Sequence, residues 1–212
     1  MSRILITSGP TRQYLDPVRY LTNASSGRMG QALAQAAIDR GHEVIIVSGP
    51  VEVTYPAAAE VVSVVSTEEM LEACQRVFPN CDGMIGVAAP CDYRPRKIAS
   101  GKIAKTGEPL LLELIETPDV VATLGAVKTH QWLVGFALET DDHRLRALAK
   151  LEKKCCDLMA VNGAEAMNAV DTLLEIIDPK GTVLDRLAGS KIEVAARLWA
   201  VIEDRLIGNR RP

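Results

Sequence analysis

The chain reads as an α/β fold built on a parallel sheet with helices on both faces. Three observations predict it. Six short apolar runs rich in β-branched residues alternate with stretches of helical periodicity. Several of these runs end in small or polar residues, at Ser8-Gly9, Ser48-Gly49, Ala88-Ala89, Gly135–Ala137 and Asn162-Gly163. The 212 residues, 48% hydrophobic and 24% charged, suffice for a sizeable buried core.

Taken in order, Arg3–Ser8 is a buried strand that runs into Gly9-Pro10. Residues 9–22 are polar, contain Pro10 and Pro17, and are expected to wander over the surface. In Gly27–Arg40 the positions Met29, Leu33, Ala36 and Ala37 recur at helical spacing, and Gly41 stops the helix. Glu43–Ser48 is the second strand, so the first strand, helix and second strand form a right-handed βαβ unit. Val61–Val65 is a third strand, and Ser66 or Thr67 with Glu69 opens a helix to Val77. Asp82–Ala88 is a fourth strand.

Residues 90–109 are irregular and basic, and an unstructured stretch of that length inside a domain points to a functional loop or disorder. Leu110–Ile115 follows as a short strand. Thr117-Pro118-Asp119 predicts a helix capped by Thr117, with Pro118 in the first helical position. Trp132–Ala137 is a fifth strand, Asp142–Lys154 a helix with a basic end, and Asp157–Val161 a sixth strand. Thr172–Ile177 and Thr182–Leu187 flank Asp178-Pro179-Lys180-Gly181 and form a hairpin, and Lys191–Leu206 is the closing helix. The whole is a Rossmann-like three-layer arrangement with a C-terminal β-hairpin, in which ligands bind beyond the carboxyl ends of the strands.

Composition narrows the function. A net charge of −3 offers no broad basic face for nucleic acid or membrane, although cations cluster within 94–105 and 150–154. No apolar run approaches the roughly 20 residues of a membrane helix, and Met1-Ser2-Arg3 opens no leader pattern. A cytoplasmic location follows as the expectation. Five cysteines without metal spacing, including the adjacent Cys155 and Cys156, suit reduced thiols. Cys91 has no histidine placed to activate it, so packing accounts for it better than catalysis.

The richest stretch is Thr22–Gly30. Ser25 or Ser26 could cap the following helix, while Gly27 and Gly30 allow close backbone approach and the helix dipole favours an anion. A phosphate cradle with Asn23 at its lip and an ordinary serine-capped helix fit this stretch equally. A dinucleotide oxidoreductase would need G-x-G-x-x-G directly after the first strand and an acid ending the second, where Ser48 stands. A P-loop is also missing.

Gly9–Arg12, Asp16–Tyr20 and Asn23–Gly30 closely resemble phosphopantothenoylcysteine synthetase, the phosphopantothenate–cysteine ligase of coenzyme A biosynthesis. The likeness continues through Val47–Pro50, Ala88-Ala89 with Asp92-Tyr93, Lys102–Lys105, Pro118–Val121, Gly135–Ala137 with Glu139-Thr140, and Asp157-Leu158 with Asn162. It implies one ligase domain over residues 1–212, with a lid at about 94–109 and the hairpin at about 170–187. It also implies a two-step reaction with CTP and Mg2+, in which an acyl-cytidylate forms and cysteine displaces CMP. ATP use is the variant to test. The small-molecule partners are 4′-phosphopantothenate, L-cysteine and CTP.

The resemblance assigns residues too. Asn23 would turn over the acyl-nucleotide, and Lys102 with Lys105 would meet its phosphates from the lid. Arg19 would reach the neighbouring site of a homodimer. Ser25, Ser26, Gly27 and Gly30 would hold phosphate. Gly86, Val87, Ala88, Ala89 and Asp92 would line the nucleotide and pantothenate site, joined by Pro118, Asp119, Val120, Val121 and Phe136. Lys150 and Lys154 would meet triphosphate or base, and Asn162 the phosphopantothenate phosphate.

The sequence departs from the family at Ala104, where a lysine is usual, and after Asn162, where a segment is shortened. The metal ligands stay open. The flavin decarboxylase half is not in this sequence, so flavin is not expected. Two other readings compete: a nicotinamide oxidoreductase and a non-catalytic partner subunit of the same fold.

Overall fold

The computed structural model describes residues 1–139, 143–163 and 172–208. Its main sheet has eight strands. Six are parallel: β1 (Arg3–Ser8), β4 (Glu43–Ser48), β5 (Glu60–Ser63), β6 (Gly83–Gly86), β9 (Trp132–Glu139) and β10 (Leu158–Gly163). They lie in the order β5-β4-β1-β6-β9-β10, and the antiparallel pair β11 (Thr172–Ile177) and β12 (Val183–Gly189) extends the β10 edge. Numbered among themselves, the parallel strands run 3-2-1-4-5-6, the dinucleotide-fold order. The expected fold class and hairpin are both present. The hairpin turn is fixed by Asp178, whose Oδ1 accepts from the amides of Lys180 (2.9 Å) and Thr182 (2.8 Å).

Side chains alternate across the sheet and divide the core in two. Ile4, Ile6, Ile46, Ile85 and Val134 face α1 (Arg28–Ile38) and α5 (Lys191–Ile202). Leu5, Ile45, Val47, Met84 and Leu133 face α2 (Thr67–Val77), α3 (Val120–Val127) and α4 (His143–Lys153). Buried Trp199 ties the first layer together by donating its Nε1 hydrogen to the Leu33 carbonyl at 2.9 Å. Burial of such rings contributes on the order of 2–3 kcal/mol each. The last turns of α5 continue as a π-helix, Glu203–Ile207.

Two regions differ from the sequence reading. Residues 9–22 do not wander: β2 (Arg12–Asp16) and β3 (Arg19–Thr22) form an antiparallel hairpin whose inner face is polar, with Thr11, Gln13 and Asp16 buried. That polar face hides the alternation by which strands are recognised. The 90–113 stretch contains β7 (Tyr93–Pro95), paired with β8 (Leu114–Glu116). Asp142, expected to open α4, and residues 170–171 of the expected hairpin lie outside the described residues.

Candidate functional site

The chain leaves β1 and β6, adjacent in the sheet, toward opposite faces, and a crevice opens there beyond their carboxyl ends. The loops after the two strands are stitched together. The Ala89 amide donates to Gly9 O at 2.9 Å, and Pro10 bridges Ala89. Exposed Asn23 adds a second stitch, its Nδ2 donating to Ala89 O (3.2 Å) and Pro90 O (2.8 Å). Both neighbours are carbonyl oxygens, so the NH2 end must face them. The Asn23 Oδ1 therefore points away from the stitch, an acceptor without a partner among the described residues.

Neither Ser25 nor Ser26 caps α1, contrary to expectation. Gly27 is the N-cap, with φ 74 and no side-chain cap, and the Ser25 amide bonds back to Asn23 O. The chain turns at Gly27 through the left-handed region, which glycine enters without strain, and a Cβ there would also crowd Val51 Cγ1 at 2.9 Å and the Tyr55 hydroxyl at 3.3 Å. At Gly30 a Cβ would collide with Ser8 Oγ. The helix thus begins directly behind the end of β1, with its first amides uncapped.

A cavity of about 270 Å³ opens beyond the carboxyl end of β6, walled by the loop after that strand, the start of α3 and the end of α4. Of the expected residues, Gly86, Ala88, Asp92, Pro118, Asp119, Val120, Val121, Phe136 and Lys154 line it, joined by Glu116, Thr117 and Lys153. Lys153 takes the place expected of Lys150, which is exposed on α4 and not among the lining residues. Val87 packs against the α1–α5 layer instead. Asn162 stands one residue before the end of β10, with its Oδ1 buried and unbonded among the described residues.

Asp119, not Thr117, caps α3, its Oδ1 accepting from the Ala122 amide at 3.0 Å. Its other oxygen lies 3.2 Å from Lys154 Nζ, which fixes that cation at the cavity wall. Thr117 is committed elsewhere: its amide donates to Asp92 O and its hydroxyl to Cys91 O.

The Cys91 backbone is the centre of a buried polar knot. Its amide donates to Thr11 Oγ1 (2.8 Å), which shares a hydrogen bond with Thr67 Oγ1 (2.8 Å). Its thiol donates to the carbonyls of Thr11 and Leu21, both at 3.4 Å. Burial pushes the Cys91 thiol up from its ordinary range, so it is a packed neutral group rather than a nucleophile.

The segment expected to form a lid stands on β7 and β8. Arg94 pairs with Glu68 and Arg96 with Glu113, each at 2.8 Å, while Lys102 and Lys105 are exposed. Arg19 donates through Nη1 to Asp16 Oδ2 (2.8 Å) and to the lid carbonyl of Ile103 (3.0 Å). Asp16 is the residue that sequence reasoning passed over, although an Asp-Pro step is a turn signal in its own right. Among the described residues no three His, Cys, Asp or Glu side chains converge as a metal site, and no helix is long and apolar enough to cross a membrane.

Residues 1–206 match the family model described as DNA/pantothenate metabolism flavoprotein C-terminal domain. The chain is 39% identical over 206 residues to the coenzyme A biosynthesis bifunctional protein CoaBC of Haemophilus influenzae, covering 95% of this chain and 51% of that protein. It is 42% identical over 163 residues to CoaBC of Escherichia coli, covering 75% and 40%. The chain thus spans about half the length of the curated relatives it matches. A crystal structure of the CoaBC C-terminal domain superposes with a TM-score of 0.82 at 37% identity, over 96% of each chain. A Cab2 H337A mutant in complex with phosphopantothenate-cysteine shares the fold, with a TM-score of 0.80 at 16% identity over 96% of this chain and 85% of that one. Fold and sequence agree, and the chain belongs to the DNA/pantothenate metabolism flavoprotein C-terminal domain family.

Proposed function

We propose that the chain is a phosphopantothenate–cysteine ligase that uses a nucleoside triphosphate, CTP in the first instance. The 4′-phosphopantothenate carboxylate attacks the α-phosphorus, pyrophosphate leaves, and the acyl-cytidylate remains in the strand-end crevice. The cysteine amine then attacks the acyl carbon, CMP departs with the bonding electrons, and the amine proton passes to solvent. Both steps gather negative charge at phosphate, where fixed cations and amides act most strongly. Lys154, the uncapped amides of α1 and the lid lysines Lys102 and Lys105 suit that need.

The observation that carries this reading is the orientation of Asn23. Its two Nδ2 hydrogens hold the crevice loops together, which leaves Oδ1 to accept an N–H from the incoming amine. Asn23 is expected to turn over the acyl-nucleotide, and with both donors engaged, steering the nucleophile is the way this geometry favours. Mg2+ would take most of its ligands from triphosphate oxygens and water, as it does where few carboxylates converge. Asp92 and Glu116, both lining the cavity, are the carboxylates that would complete its shell, and the cation they hold would offset the triphosphate charge.

Exposed apolar side chains at Val18, Tyr20, Tyr93, Leu110, Leu111 and Leu114, with Leu111 at 91%, support a homodimer through this end of the molecule. Sedimentation of the chain alone tests that. For the reaction, the protein is mixed with Mg2+, 4′-phosphopantothenate and cysteine, and with CTP, ATP or UTP in turn. Pyrophosphate release and the product mass are followed. Absence of a nucleotide-dependent amide product with all three overturns the reading, and a preference for ATP overturns the choice of CTP.

A further inference from the structure

The lid is joined to the body at its middle by one buried carboxylate. Asp16 has no exposed side-chain surface and spends its two oxygens on different tasks. Its Oδ1 accepts from the amides of Val18 and Arg19, both at 2.8 Å, which shapes the turn between β2 and β3. Its Oδ2 accepts from Arg19 Nη1 at 2.8 Å and from the Ile103 amide at 3.1 Å. Arg19 completes the ring by donating to Ile103 O at 3.0 Å. Both polar groups of one lid peptide position are thereby held by a single ion pair. The Ala99 amide, donating to Leu15 O at 2.9 Å, seats the segment on the same hairpin.

We propose that Asp16 is a positioning residue that latches the lid at Ile103 and so sets where Lys102 and Lys105 stand before ligand arrives. Turn formation alone requires only Oδ1; the bonds through Oδ2 go to the lid and to the arginine that grips it. Lys102 precedes the latched amide directly, and Lys105 follows two residues after Ile103. Both cations are exposed, while Ile103 between them is half-buried. What the lysines then meet rests on the ligase reading; the latch does not.

Amide hydrogen exchange of the ligand-free chain tests it. Ile103 should exchange at least about tenfold more slowly than Lys102 and Ala104. In Asp16→Asn, one carboxamide oxygen can keep the Val18 and Arg19 amides. The NH2 then faces the donors of Ile103 and Arg19, so Ile103 protection should fall about tenfold while Val18 stays protected. Asp16→Ser, which retains one short oxygen for the turn, should give the same pattern and stands in if the asparagine variant does not fold. Trypsin should cut after Lys102 correspondingly faster in either variant. Under turnover, the nucleotide KM should rise several-fold with kcat less affected. Equal exchange at Ile103 and its neighbours in the unmodified chain, or unchanged Ile103 protection in both variants, overturns the latch. Loss of protection in a chain without ligase activity upholds the latch and removes the ligase reading instead.

Discussion

The two sides of the crevice are built on opposite plans. The wall at residues 88–92 is held by buried groups that each serve several partners: Thr11, Thr67 and Thr117 converge on the Cys91 backbone, and Asn23 grips the carbonyls just before it. The segment expected as a lid, 94–109, is solvent-exposed over most of its length and tied at its base and at Ile103. A wall wired in this way resists movement, because breaking its bonds leaves buried donors or acceptors unpaired. Away from the Asp16 latch, the exposed segment has few buried groups to unpair, so its opening costs less than that of the wall. Substitutions in the wall should therefore act on stability and those in the lid on turnover, with Asn23 belonging to both sides.

Asn23→Ala breaks the comparison where it is sharpest. Losing the acceptor at the reacting amine should lower amide formation by roughly 10²–10³-fold, with pyrophosphate release continuing and the acyl-nucleotide accumulating. Quenched-flow mass analysis reads both steps. Equal loss of both would assign Asn23 to holding the wall alone.

Lys102→Ala probes the lid. One charge-assisted contact to phosphate is worth about 1.5–3 kcal/mol, so kcat/KM should fall roughly ten- to a hundredfold. The melting temperature should not move, since an exposed lysine on a loop contributes within about 0.5 kcal/mol. A large drop in stability would mean that the lid is part of the core.

Thr11→Val is the reciprocal case. The side chain keeps its shape, but the Cys91 amide and the Thr67 hydroxyl lose their partner in a buried site. The cost should be about 1–3 kcal/mol, a fall of several degrees in melting temperature for a chain of this length. Thermal unfolding followed by circular dichroism measures it.

The same contrast explains what could be read from sequence. The six parallel strands are apolar because both faces are covered, and such runs declare themselves at Ile4-Leu5-Ile6 or Val44–Val47. The β2–β3 hairpin does not, because Thr11, Gln13 and Asp16 fill its buried side with polar groups, each with a partner far along the chain. The two helix caps failed for a related reason. Ser25 and Thr117 have the right chemistry, but the helix opens at Gly27, left-handed and too crowded by Val51 and Tyr55 for a side chain, and Thr117 is claimed by Cys91 and Asp92. The resemblance assigns Lys150 with Lys154, whereas the end of α4 brings Lys153 and Lys154 to the cavity together. Local chemistry nominates residues; long-range partners decide which of them serve the site.

The smallest effect sharpens the wall. Burial pushes the thiols of Cys74 and Cys156 up to about 12 and that of Cys81 to about 11, and raises Cys91, while Cys155 is exposed. At pH 8 an alkylating reagent should therefore label Cys155 first, with Cys91 following only as the wall opens. Thr11→Val should speed Cys91 labelling while leaving Cys155 unchanged. The sign of the pH dependence follows from the same burial. The folded chain keeps protons on thiols that the unfolded chain releases near pH 9, so stability holds below that range and falls as pH rises through it. Asp16 works in the other direction: although its burial opposes ionisation, the amides of Val18, Ile103 and Arg19 and the Arg19 charge hold its carboxyl below the ordinary 3.8. The latch should hold from neutral pH down to the ordinary carboxylate range and be lost only as pH falls through the depressed value. If Cys91 labels as fast as Cys155 at pH 8 in the unmodified chain, the wall opens as readily as the lid, and the division between a fixed and a movable side fails.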